Sequence, residues 1–231
     1  MHELIKILFD NFAPEAVIQN LTPFMTKARI ERIDQVLSRR IHRVQIAVES
    51  PYDVHNGLAM VRTAEAMGVT HVHFIQALMK KGQGKGTTRG TMKWAHLKRH
   101  DTLEAFLQEQ DEMLLVGACV DGKVSIENLP VERPICFLFG NENTGLTDAA
   151  KKACDILYHV PMYGMVESYN LSVTAALTLY DFLGRKRQSM GCEGDLTAEE
   201  HLVEKAQYYI RSIGPEMARQ ILERAKSSQF Q

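Results

Sequence analysis

Short, continuous apolar runs alternate along most of this chain with stretches of helical period. VQIAV (Val44 to Val48), HVHFI (His71 to Ile75), MLLVGA (Met113 to Ala118), ICFLF (Ile135 to Phe139) and ILYHV (Ile156 to Val160) show no clean apolar–polar alternation, the pattern of strands buried on both faces. Between them the spacing predicts a helix from about Gly57 to Met67, stopped by Gly68, and further helices over Asp101 to Gln110, Thr147 to Cys154 and Ser168 to about Arg187. Strands separated by helices predict an α/β fold, with a mostly parallel sheet and helices on both faces. Helical patterns also precede the first strand, and two more, Ala198 to Ile213 and Pro215 to Lys226, follow the linker MGCEGD. The expected domains are a helical N-terminal extension (1–43), an α/β domain (44–187) and a helical C-terminal extension (188–231).

Three polar stretches sit where a strand hands over to a helix: NGLAMVRTA (Asn56 to Ala64), GNENTGL (Gly140 to Leu146) and VPMYGMVESYNLS (Val160 to Ser172). Unused polar groups beside apolar strands cost stability, and ligands of open α/β sheets lie beyond the carboxyl ends of the strands. Asn56 suits an N-cap as well as a site residue, and Arg62 needs a partner if its face of the helix is covered. Gly140 and Gly145 permit a tight turn, while Glu142 either caps the amides of the next helix or faces a ligand. Ser168, Asn170 and Ser172 are three candidates where one cap is needed. Neither a GxGxxG fingerprint nor the GK[ST] of a P-loop is present, and SPYDVHN replaces the glycine-rich turn that a nicotinamide-binding Rossmann enzyme carries after its first strand.

Composition narrows this reading in two respects. Four cysteines without a CxxC pair suggest neither a zinc site nor a disulfide framework, which fits a reducing cytoplasm; no apolar run approaches a membrane span, and the N-terminal MHELIKILFDNFAPEA reads as an amphipathic helix and not a signal peptide. The formal net charge of -1 conceals two basic stretches. Lys27 to Arg43 carries Arg29, Arg32, Arg39 and Arg40 on a helix whose apolar stripe is Ile30, Ile33, Val36 and Leu37, so these arginines are either a solvated face or phosphate contacts. Lys80 to Arg99 holds no acid; its glycines at 82, 84, 86 and 90 predict a cationic loop, ending at the only tryptophan, Trp94, that offers Lys85, Arg89 and Lys93 to phosphates.

Taken together, N-x-x-A-x-x-R-T-A, G-x-E-x-x-G-L and P-M-x-G-x-x-x-S-x-N-x-S-x-x-A, in this order and spacing, resemble the three motifs of the SPOUT superfamily of RNA methyltransferases. The resemblance covers about Arg32 to Arg187 and is nearest to the tRNA guanosine-18 2'-O-methyltransferases. It implies a trefoil knot in the C-terminal half of the α/β domain, S-adenosylmethionine bound by the knot loops, and a homodimer whose active sites combine two subunits. By motif position it makes Arg62 the catalytic arginine and assigns Asn56, Glu142, Ser168 and Asn170 to the site. The cofactor would be held around Leu138, Phe139 and Gly140, around Val160, Pro161 and Met162, and by Tyr169 and Leu171. Tyr169 stands where the family usually has leucine. After the long helix the family carries spaced arginines; here Gly184 takes one such place, and Arg185 and Arg187 are the candidate RNA contacts.

Methyl transfer to a ribose hydroxyl needs alignment, a dry pocket and loss of a proton, and needs neither metal nor membrane. The resemblance implies that Arg62 acts as a base once an RNA phosphate perturbs it; a guanidinium is a poor base, and the alternative is that Arg62 stabilises the alkoxide electrostatically. Ribosomal-RNA members of the family that the chain resembles commonly carry a separate substrate-binding domain before the catalytic one, whereas only about 43 residues precede the first strand here, so the resemblance implies tRNA, with the two extensions gripping it from either end of the α/β domain. The alternatives are ribosomal RNA or another tRNA position, and a paralogue that binds RNA or cofactor without turnover.

Overall fold

The computed structural model describes residues 2–77, 90–110 and 112–228. In chain order, α1 (His2–Asn11), α2 (Pro14–Leu21) and α3 (Lys27–Leu37) precede β1 (Val44–Glu49), α4 (Val54–Ala66), β2 (His71–Ile75), β3 (His96–His100) and α5 (Leu103–Leu107). Next come β4 (Leu114–Ala118), β5 (Val124–Ser125), β6 (Ile135–Phe139), α6 (Asp148–Ala153), β7 (Ile156–His159), α7 (Leu171–Met190), α8 (Ala198–Ile213) and α9 (Pro215–Ser228). They form two compact units, Ile41–Glu193, and Met1–Arg40 with Gly194–Gln231.

The α/β unit is built on a seven-stranded parallel sheet in the order β3-β2-β1-β6-β4-β7-β5. Its register places Ile46 opposite Val72 on one side and Phe137 on the other. Side chains alternate across the sheet, so Ile46, Val48, Phe74 and Phe137 share one face with Leu58 and Val61 of α4 and Leu179 and Phe182 of α7. On the opposite face Ala47, Ile75, Leu115, Cys136 and Leu138 meet Phe106 of α5 and Ala150 of α6. Each fully buried large apolar side chain contributes about 1.5–3 kcal/mol, which is why the five apolar runs were readable as strands.

Two strands have no counterpart in the apolar pattern. β5 is two residues long, and β3 (HLKRH) falls at the end of the expected cationic loop. As an edge strand, β3 turns Lys98 and Arg99 to water, which deters pairing with another chain. The helix expected over Asp101 to Gln110 shortens to α5, whose start Thr102 caps by accepting the Ala105 N–H at 3.1 Å.

The two expected extensions are a single helical unit, a correction to their placement at opposite ends of the α/β domain. α2 packs on α8, with Val17 and Leu21 buried on one and Ala206, Tyr209 and Ile210 on the other. Thr197 and Glu200 form a reciprocal capping box at the start of α8. Lys205 Nζ pairs with Asp34 Oδ1 at 2.6 Å. Arg40 is only 2% exposed and donates to Tyr208 Oη from Nη2 at 2.8 Å and from Nε at 3.2 Å. Arg40 therefore joins the two ends of the chain and is withdrawn from the candidate RNA contacts. Among the described residues no helix is long and apolar enough to cross a membrane.

Candidate active site

β1 delivers its carboxyl end to a turn in which Ser50 adopts φ 44°. Asp53, not Asn56, caps α4, its Oδ1 accepting the His55 N–H at 2.8 Å. The cap lies three residues earlier than expected, so Asn56 falls inside the first turn and its amide is available elsewhere. Asn56 Nδ2 donates to Glu142 Oε1 at 3.0 Å, and Glu142 Oε2 accepts the Tyr52 backbone N–H at 2.7 Å. Glu142 thus bridges to the loop after β1 and leaves the capping of α6 to Thr147. Thr147 Oγ1 accepts the Ala150 N–H at 3.1 Å and is itself held by the buried Glu49 carboxylate at 2.7 Å.

Of the three candidates before α7, Asn170 is the cap: its Oδ1 accepts from Ser172 N at 2.9 Å and Ser172 Oγ at 2.7 Å. Asn170 Nδ2 reaches Asn56 Oδ1 at 3.4 Å. A chain from Glu142 through Asn56 to Asn170 therefore links all three motifs. Ser168 and Arg62 stand outside it. Ser168 is exposed on a cavity wall, while Arg62 is exposed, has no hydrogen-bond or ion-pair partner among the described residues, and does not line that cavity.

The cavity, of about 380 Å³, lies beyond the carboxyl ends of β4, β6 and β7. The second motif folds as a tight hairpin: Asn141 N–H donates to Gly145 O at 3.0 Å and Gly145 N–H returns to Asn141 O at 2.8 Å. Gly145 has φ 70°, and a Cβ on Gly140 would lie 2.2 Å from Gly145 C and Leu146 N. Only glycine fits there. Asn141 secures the hairpin to the loop after β1, its Nδ2 donating to Ser50 O at 2.7 Å.

Of the expected cofactor residues, Phe139, Gly140, Val160, Met162, Tyr169 and Leu171 line the cavity. Leu138 and Pro161 are not wall residues. Leu138 is wholly buried in the opposite-face core, as side-chain alternation from Phe139 requires, and the Pro161 carbonyl accepts Tyr169 Oη at 3.2 Å. Tyr169 thereby closes the third loop on itself, which leucine could not do.

The sequence reading missed the loop after β4, where Cys119, Val120 and Asp121 form a wall, together with Lys151 and Glu167. The strand-end rule, applied to MLLVGA as to the other strands, points to CVDG; Lys151 has no local signal. Burial and the hydrogen bond to Asp121 push the Cys119 thiol up, so it stays protonated. Asp121, Glu142 and Glu167 face the cavity against Lys151, which suits a ligand bearing positive charge among apolar walls.

Residues 43–180 match the model of the SpoU rRNA Methylase family. The chain belongs to this family. It is 34% identical over 170 residues to the Escherichia coli K12 protein named tRNA (guanosine(18)-2'-O)-methyltransferase, covering 72% of this chain and 74% of that one. Among solved structures it is similar to an Aquifex aeolicus TrmH/SpoU tRNA modifying enzyme, with TM-score 0.72, 26% identity, and coverage of 81% of this chain and 98% of that one. The fold also matches the Streptomyces viridochromogenes SpoU methyltransferase AviRb in complex with AdoMet, at TM-score 0.59 and 21% identity over 69% of this chain and 62% of that one.

The cations of this SpoU-family chain separate by their surroundings. Arg185 is fully engaged, donating from Nη1 to Leu129 O at 2.9 Å and from Nη2 to Ile126 O at 2.7 Å while pairing with Asp181 at 2.8 Å. Arg187 donates from Nη2 to Met67 O at 2.7 Å and from Nε to Glu193 O at 2.9 Å. Both brace loops from within, a correction to their expected place against RNA. Arg29, Arg32 and Arg39 are exposed on the helical unit. Lys93 lies over the Trp94 ring, 5.2 Å from its centroid, and Lys85 and Arg89 fall outside the described residues.

Proposed function

We propose that this chain is an S-adenosylmethionine-dependent methyltransferase that methylates the ribose 2'-hydroxyl of guanosine 18 in tRNA. The observation that carries the reading is the hydrogen-bonded chain of Glu142, Asn56 and Asn170 beside the cavity, which joins the three motifs of the family. Guanosine 18 as the target rests on the name of the Escherichia coli relative. The same reading places the protein in the cytoplasm with its substrate and gives the C-terminal half of the α/β unit the trefoil knot that the motif resemblance implies.

The cavity residues fit the cofactor. Its volume lies within the range of about 300–1,000 Å³ usual for small-ligand sites, its apolar walls suit an adenine ring, and its carboxylates complement a sulfonium. Bound S-adenosylmethionine supplies a methyl group activated by positive sulfur. Phe139, Val160, Met162 and Leu171 exclude water, the Gly140–Gly145 hairpin brings backbone close, and the Glu142–Asn56–Asn170 chain holds the three loops in register.

Arg62 acts from a second copy. It projects into solvent outside the cavity of its own chain, and α7, buried on one side through Ala175, Leu179 and Phe182, exposes a second apolar stripe of Val173, Leu177 and Tyr180. A helix apolar on two faces is suited to a partner, so a homodimer pairing these stripes gives Arg62 a cavity to serve. A guanidinium stays protonated near neutral pH, so Arg62 stabilises negative charge growing on the ribose oxygen, and the hydroxyl proton passes to water and not to Arg62. Exposed Arg29, Arg32 and Arg39 supply phosphate contacts.

The test incubates purified protein with radiolabelled S-adenosylmethionine and, in parallel, unmodified tRNA transcripts and ribosomal RNA. Label on tRNA alone is the expected result. Label on ribosomal RNA would redirect the substrate, and cofactor binding without transfer to either RNA would contradict the enzymatic reading.

A further inference from the structure

We infer that His73, His100 and Glu109 form a binding site for one divalent transition-metal ion of the zinc type, at the β2–β3 edge of the sheet and separate from the methyl-transfer cavity. No local sequence pattern marks it, because its ligands come from two strands and a helix end.

Parallel pairing sets His73 opposite Lys98 and Ile75 opposite His100, so both histidines fall on the face covered by α5. They are 6% and 5% exposed, and Phe106 packs edge-on against both rings at 5.4 and 5.3 Å. His73 Nε2 lies 2.8 Å from Gln45 Oε1. An amide oxygen only accepts, so Nε2 carries the hydrogen and the Nδ1 lone pair faces inward. A hydrogen-bonded outer partner of this kind fixes the tautomer and orientation of a ligating imidazole.

Inward, His73 Nδ1 lies 2.9 Å from His100 Nε2, which in turn is 3.9 Å from Glu109 Oε2, and the three donor atoms all lie within 4.8 Å of one another. Zinc bonds of about 2.0–2.2 Å in tetrahedral array place donors about 3.3 Å apart. Loading therefore asks the imidazoles to part by a few tenths of an ångström, His100 to move its proton to Nδ1, and Glu109 to swing inward. Two imidazoles and a carboxylate suit zinc, whereas calcium and magnesium take oxygen donors. The partly exposed Glu109 leaves room for water as a fourth ligand.

One competitor is built in. Lys98 Nζ lies 2.6 Å from Glu109 Oε2, and the metal must displace this ammonium. Both side chains are substantially exposed, at 56% and 39%, so Lys98 is released to water without burying charge. Bound metal would clip β2, β3 and the residue beyond α5 together.

The test uses tag-free, full-length protein, titrated with Zn2+ by calorimetry and with Co2+ by visible absorption. The expected result is one ion per chain with a tetrahedral cobalt spectrum, affinity at least about tenfold weaker in Glu109→Gln, and tighter binding in Lys98→Met. Zinc should also raise the Tm of the wild type and not of Glu109→Gln. The absence of a cobalt spectrum, or equal affinity in wild type and Glu109→Gln, would overturn the proposal and leave the cluster a hydrogen-bonded strut. Because Glu109 is at the surface, the variant folds, and neither readout depends on methyl transfer.

Discussion

Replacing Glu142 with glutamine breaks the link between the three motifs in a way the geometry specifies. Both carboxylate oxygens accept hydrogen bonds, one from the Tyr52 backbone and one from the Asn56 amide. Glutamine keeps one acceptor and turns the other into a donor. If its oxygen serves Tyr52, its NH2 meets the Asn56 NH2. Asn56 can turn over, but its NH2 then meets the NH2 of Asn170, which cannot follow because its oxygen is held by Ser172 N–H and Oγ–H. One bond must be lost whichever way the amides settle. A hydrogen bond to a charged group is worth about 1.5–3 kcal/mol, and with Asn56 and Glu142 half-buried the expected loss is about 1–2 kcal/mol. Adding Asn56→Asp restores the pattern, since a carboxylate at 56 accepts from both the introduced glutamine and Asn170, while the glutamine oxygen serves Tyr52. Urea denaturation of the wild type, the two single variants and the double variant should give a coupling energy of about 1 kcal/mol or more, with methyl transfer to tRNA falling and recovering in parallel. Strict additivity, or a Glu142→Gln variant indistinguishable from wild type, would refute the chain.

Gly140→Ala sets a methyl 2.2 Å from the hairpin backbone, so calorimetry should show S-adenosylmethionine binding lost while the far-ultraviolet circular dichroism is retained; unchanged affinity would show that the hairpin does not shape the site. Arg62→Lys keeps the charge but not the planar fork, and single-turnover methyl transfer should fall more than about tenfold with cofactor affinity unchanged, whereas near-full turnover would remove any role for a guanidinium. Burial first, then His100, holds the His73 pKa down to about 4 from 6.5, with Glu109 opposing and Lys98 assisting. Protonation therefore favours the unfolded chain, and the contribution of His73 is complete above pH 6.5 and lost as pH falls toward 4. Between pH 7 and pH 5 this amounts to about 2 kcal/mol, visible as a fall in urea midpoint that His73→Gln reduces; equal falls in both proteins would refute it.

The parts of the fold that were legible are those whose signal is local. Five strands declared themselves because burial on both faces makes a parallel strand continuously apolar. β3 did not, because an edge strand must carry charge, and HLKRH resembles a loop. The start of α4 was misplaced by three residues because Asp53 and Asn56 are both competent caps, and only the tertiary bond to Glu142 decides between them. Six of the eight cofactor residues that the family resemblance implied line the cavity, because the matched motifs lie at the strand ends that form it, while Leu138 was lost to simple alternation. The cations were the least legible. Arg40, Arg185 and Arg187 look like a solvated basic surface in sequence, yet Arg40 is held by Tyr208, 168 residues away, Arg185 by Asp181 and two backbone carbonyls, and Arg187 by the Met67 carbonyl 120 residues away.

The central claim concerns one ribose hydroxyl. Its most direct test is to incubate the protein and S-adenosylmethionine with two tRNA transcripts differing only at position 18, one carrying guanosine and the other 2'-deoxyguanosine, and to locate the methyl group by nuclease digestion and mass spectrometry. Methylation of the first transcript at that ribose and none of the second is the predicted result. Equal methylation of both, or a methyl group on a base, would contradict it.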